Sequence, residues 1–174
     1  GVKSFIISSG HSSRSLWAKE GLRRIKMMPQ DMQHIIHEAL KTGVYEGEAY
    51  DAAVSEYMAR YCDYFVPTDN LPSCCVRPKR KGTESYIEGW GPNEFAPIGT
   101  LRDFEYVDRL NEIQIPTLIC SGISDLCSPL IAKNMADGIP TSEWVLWENA
   151  RHTCFVDRRD DYVKKLIAWM NSHD

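Results

Sequence analysis

Two residues have the chemistry and the placement to form an acid–base pair. Asp125 follows an apolar run, Thr117 to Ser121, and His152 follows another, Glu143 to Trp147, after the short loop Glu148-Asn-Ala-Arg. An acid at one strand end and an imidazole at the next orient a general base: the carboxylate accepts from one ring nitrogen while the other faces a nucleophile. Each also has a plain structural reading, the aspartate as a turn cap and the histidine as a packing or surface residue. Gly10-His11-Ser12 looks like the first half of the G-x-S-x-G nucleophile elbow, but Arg14 stands where the second glycine belongs. The better fit is a strand, Val2 to Ser8, ending in a Ser/Gly-rich loop from which Ser12 or Ser13 caps a helix.

The other polar clusters offer less. His34 and His37 share a helical face beside Glu38, but H-x-x-H-E is neither of the zinc-protease orders, so neither a metal nor another cofactor is expected. The six cysteines form no C-x-x-C pair, and several lie in apolar segments. They read as buried free thiols, which leaves localisation open but favours a reducing, cytoplasmic compartment. Adjacent Cys74 and Cys75 read as incidental thiols of a proline-rich loop, and His11 and His173 as loop and tail residues.

The elements that would hold Asp125 and His152 follow from periodicity. Val2 to Ser8, with Phe5, Ile6 and Ile7 together, has the pattern of a strand buried on both faces of a parallel sheet, as do Pro116 to Gly122 and Glu143 to Trp147. From about Ser15 to Tyr64 the period is helical. Met32, Ile35, Ile36, Ala39 and Leu40 form one stripe, stopped by Gly43; Tyr50, Ala53, Val54, Tyr57, Met58 and Tyr61 form another. Val66 to Gly99 carries five prolines and reads as irregular, with a helical turn near Glu84 to Gly89. Asp108 to Ile113 looks helical, and Ser128-Pro129 is a capping residue and first-turn proline opening a helix stopped at Gly138. A last amphipathic helix places Tyr162, Val163, Leu166, Ile167 and Met170 on one side. Strand, helical insertion, strand, helix, strand, helix is the order of an open α/β sheet carrying a cap.

At 174 residues the chain can bury about 70% of its unfolded surface as one domain. A net charge of -4 gives no basic field for nucleic acid, and the one basic run, Arg77-Pro-Lys-Arg-Lys81, reads as a solvated loop. No apolar stretch approaches the roughly 18 residues of a membrane span. Gly1 in place of a methionine suggests a chain that begins inside a longer polypeptide.

Several stretches, in order, resemble the C-terminal half of the prolyl aminopeptidase (proline iminopeptidase) group of α/β-hydrolases. They are Gly89-Trp-Gly-Pro-Asn-Glu-Phe95, Gly99-Thr-Leu-Arg-Asp-Phe104, Ile115-Pro-Thr-Leu-Ile-Cys-Ser-Gly122, Ser124-Asp125, Gly138-Ile-Pro-Thr-Ser-Glu-Trp144 and Arg151-His152. The likeness is close from Gly89 to His152 and looser through the helical insertion. It implies the C-terminal portion of an α/β-hydrolase fold, the last strands of a mostly parallel sheet with an inserted helical cap. Residues 1–14 and 100–174 would be core and 15–99 cap. It further implies that Asp125 is the triad acid and His152 the triad base. Ser12 falls in the loop leading to the cap and is not the nucleophile. That serine and its oxyanion segment would come from an N-terminal half, a partner outside these residues.

In the family, acidic residues hold the substrate's free amine. One matches Glu94, beside Trp90 in the expected substrate pocket; another usually follows the triad aspartate, where this chain has Leu126. Replacing a carboxylate by leucine removes a partner for an ammonium and leaves apolar surface. Three expectations therefore stand: an aminopeptidase or amidase acting on a small molecule or short peptide, an esterase, amidase or lactonase acting on a neutral small metabolite, and a non-catalytic binding module.

Overall fold

Three short apolar runs form a parallel sheet in the computed structural model, in the order β1 (Phe5–Ser8), β2 (Thr117–Gly122), β3 (Ser142–Trp147), with Ile6 opposite Leu118 and Cys120 opposite Val145. The structure describes residues 1–65, 67–76, 84–95 and 97–174; the basic run at 77–81 and the side chain of Cys74 lie outside that description. Helices α1 (Arg14–Ile25), α2 (Gln30–Thr42), α3 (Glu48–Tyr61) and α4 (Glu84–Gly89) separate β1 from β2. A 3-10 turn, Val107–Glu112, stands where the sequence suggests a helix at Asp108 to Ile113. Helix α5 (Pro129–Gly138) joins β2 to β3, and α6 (Cys154–Asp157) and α7 (Arg159–Ser172) follow.

Every residue of β2 is buried, because it has a strand on each side and side chains packed on both faces. Leu118 and Cys120 join Ala150, Cys154, Tyr162 and Trp169 on one face; Ile119 joins Leu110, Ala132, Met135 and Ile139 on the other. The edge strands depart from expectation. β1 starts at Phe5, not Val2, and Phe5 and Ile6 are 40% and 38% exposed; β3 is at best half-buried. Among the described residues each of these strands has one neighbour in the sheet, so it lacks the cover that makes β2 a core strand. The last helix departs similarly: Tyr162 and Trp169 face inward, while Val163, Ile167 and Met170 remain exposed.

The helical segment packs through the expected stripes. Ile36 and Ala39 of α2 and Tyr50, Ala53 and Tyr57 of α3 are buried, and Gly43 ends α2 in the left-handed conformation at φ 75°. Trp17, Ile25, Ile36, Tyr57 and Phe95 share one core with Leu126, Cys127 and Ile131 of the β2–α5 region. At about 1.5–3 kcal/mol per large buried side chain, this shared core makes the helices part of the site's foundation. Ser128 precedes the first-turn proline as expected, but its hydroxyl makes no cap. It donates instead to the buried Glu20 carboxylate of α1 at 2.6 Å.

Candidate active site

The loop after β2 turns back at Gly122, where an added Cβ would lie 2.3 Å from the carbonyl oxygen of Ala150. The absence of a side chain lets the loop carrying Asp125 abut the loop carrying His152. Asp125 is fully buried, so its carboxylate needs full hydrogen-bond cover. Oδ1 accepts from His152 Nδ1 at 2.8 Å and from the Cys127 main-chain N–H at 2.7 Å. Oδ2 accepts from the Ser9 hydroxyl at 2.6 Å and from the Gly122 N–H at 3.4 Å. With a carboxylate as partner, Nδ1 carries the proton and Nε2 is left to accept one.

Both loops hang from the helical segment. The carbonyl of Tyr61 accepts the main-chain N–H of Leu126 at 2.8 Å and of His152 at 3.2 Å. The buried Arg24 guanidinium of α1 donates to the Asp125 carbonyl and sits 4.3 Å from the Tyr61 ring centroid.

A cavity of about 330 Å³ opens beside His152 and includes Glu94, Trp90 and Leu126 in its walls, together with Ser9, His11, Trp17, Met58, Cys62 and Tyr86. The five residues singled out from the sequence thus fall together: Asp125 bonds His152, and the other three share its cavity. The Tyr86 hydroxyl donates to Glu94 Oε2 at 2.6 Å. Even so, burial raises the Glu94 carboxyl above the ordinary carboxylate range, with the Tyr86 hydrogen bond, His152 and Arg14 opposing it. Trp90 packs edge-on against Trp17, and the Arg14 guanidinium carbon lies 3.3 Å from the centre of its ring.

Ser12 does not join this group. Its hydroxyl donates to Asn134 Oδ1 at 3.3 Å, and the neighbouring Ser13 is the N-cap of α1, accepting from the Leu16 N–H at 2.9 Å. His11 is a cavity wall residue rather than a simple loop residue. It packs against Trp17, Trp90 and Phe104, and burial, aided by Arg14, holds it down to about 4, a neutral imidazole near pH 7. Ser9, Arg24 and Tyr86 are contributions that the sequence did not announce. Among the described residues, no group of three His, Cys, Asp or Glu side chains is placed to hold a metal ion.

No family model matches the chain. It is 48% identical over all 174 residues to a proline iminopeptidase of Clostridioides difficile (strain 630) and 47% identical to one of Clostridium botulinum, covering 59% of each relative. The stretch matched is the C-terminal part of those proteins, so the chain spans well under two thirds of their length. Among solved structures, VinJ superposes with a TM-score of 0.83 at 24% identity over the whole chain and 59% of that structure. A proline iminopeptidase of Mycobacterium smegmatis gives 0.81 at 22% identity over 99% of the chain and 58% of its own. At that identity the two structures establish the fold, an α/β-hydrolase.

Proposed function

This chain belongs with the proline iminopeptidase-like α/β-hydrolases, and on that premise we propose that it supplies the acid, the base and the substrate pocket of a serine hydrolase that removes an N-terminal residue. The observation that carries the reading is the 2.8 Å contact of His152 Nδ1 with the buried Asp125, next to a cavity that also holds Glu94. His152 Nε2 takes the proton of a serine hydroxyl as its oxygen attacks the scissile carbonyl, and Asp125 stabilises the resulting imidazolium. The same proton passes to the leaving amine, and a water activated by His152 then releases the acyl group. Glu94, once ionised, pairs with the substrate's free amine.

The serine and its oxyanion donors come from the part of the protein corresponding to the remaining length of the relatives. The open edge of β1, with Phe5 and Ile6 exposed, gives that part a strand to extend and apolar surface to cover. Residues 15–99 act as the cap over the pocket.

One observation favours a second substrate class. Trp17, Met58 and Leu126 give the cavity apolar walls, and burial makes ionising Glu94 costlier than in water, which suits an uncharged ester, amide or lactone. The experiment is a panel of aminoacyl arylamides, each with a free and an acetylated α-amine, and simple acyl esters, offered to the complete protein. The aminopeptidase reading expects a strong preference for the free amine. No preference assigns the neutral substrate class, and no hydrolysis of any member leaves the binding-module reading.

A further inference from the structure

Ser9 is held at φ 50°, in the left-handed region that a non-glycine residue occupies at a cost of about 1 kcal/mol or more, although a glycine follows it directly. Its main-chain N–H continues the sheet by donating to the Cys120 carbonyl at 2.9 Å. This conformation brings its hydroxyl to 2.6 Å from Asp125 Oδ2 and 2.7 Å from the carbonyl oxygen of His152, so one O–H serves the acid's far oxygen and the base's own main chain. Among the described residues, the other donors to the carboxylate are Gly122 at the end of β2, Cys127 in the loop of the acid, and His152 itself; Ser9 reaches it from the end of β1.

We infer that Ser9 is a positioning residue of the acid–base pair, fixing the rotation of the Asp125 carboxylate against the His152 ring; as a role in catalysis, this rests on the hydrolase reading above. Turning the carboxylate about its Cβ–Cγ bond would break the Ser9 contact and misalign Oδ1 with Nδ1 together. A hydrogen bond to a charged group held by such geometry controls the imidazole's orientation without touching substrate.

The test uses two variants of the complete protein. Ser9→Ala keeps the strained backbone and deletes the hydroxyl; Ser9→Gly deletes both and relaxes the backbone, so a folding defect in one is not shared by the other. Two readouts apply: the split between kcat and KM, and the low-field NMR resonance of the His152 Nδ1 proton. Both variants are expected to lose about ten- to hundred-fold in kcat with KM within about two-fold, and to displace or broaden that resonance. Either variant retaining wild-type kcat and an unmoved resonance overturns the inference, as does a wild-type protein lacking the resonance. If the wild-type protein hydrolyses nothing, the hydrolase reading falls, and the resonance alone decides whether Ser9 orients the pair.

Discussion

The carbonyl oxygen of Tyr61, the last residue of α3, accepts the main-chain N–H of His152 at 3.2 Å. The loop of the base is thereby tied to a helix inserted between β1 and β2, and the loop of the acid is tied to the same segment through Arg24. Arg24→Met keeps the bulk but strands the Asp125 carbonyl in a buried setting. A loss of about 1–3 kcal/mol in denaturant unfolding is expected, with kcat falling more than KM rises. Unchanged stability would mean that the helical segment and the acid loop are not energetically coupled.

Gly122 carries a sharper steric demand. A methyl group there would meet the main chain of Ala150 and Arg151 at 2.3 to 2.6 Å, and backbone cannot swing aside as a side chain can. Gly122→Ala should cost about 2 kcal/mol or more and lower kcat by pushing the His152 loop away from Asp125. A thermal melt together with initial rates checks both halves.

The Glu94 carboxyl is raised by burial, so the folded protein holds its proton more tightly than the unfolded chain does. Stability therefore declines as pH climbs from the ordinary carboxylate value through the raised one. Glu94→Gln removes this decline. The substrate-free variant should melt above the wild type near pH 7 and alongside it below about pH 4. Its KM for free-amine substrates should rise about ten-fold or more through loss of the charged hydrogen bond. An equal difference in melting temperature at both pH values would refute the ionisation argument.

Leu126 is 7% exposed and part of the cavity wall beside His152. Leu126→Glu should increase the preference for free over acetylated α-amines by about ten-fold, the yield of one added charged contact, while destabilising the empty protein. A preference that does not move would place the substrate's amine away from residue 126.

The contact of Asp125 with His152 was legible because each follows an apolar run, and an open parallel sheet brings the carboxyl ends of its strands together. Helices α2 and α3 were legible for a similar reason: their stripes have the helical period, and Gly43 terminates the first. The burial of β1 and the inner face of α7 were not, since a run such as Phe5-Ile6-Ile7 states what can be buried and not what lies next to it. Buried Arg24, Glu20 and Arg14 leave no mark in the sequence because charges on an amphipathic helix ordinarily face solvent, whereas these three meet a carbonyl, a hydroxyl and an indole ring. Ser9 was hidden most completely. Its role depends on a positive φ, and a serine in Ser-Ser-Gly otherwise signals only a loop.

If Asp125 and His152 are the acid and base of a serine hydrolase, removing the imidazole must abolish most of the turnover. The most direct measurement is kcat/KM of His152→Ala in the complete protein, on the best substrate of the aminoacyl and acyl panel. A loss of about a thousand-fold or more is expected, with folding intact by circular dichroism. A rate within a few-fold of the wild type would contradict it and leave the pair as a structural contact between two loops.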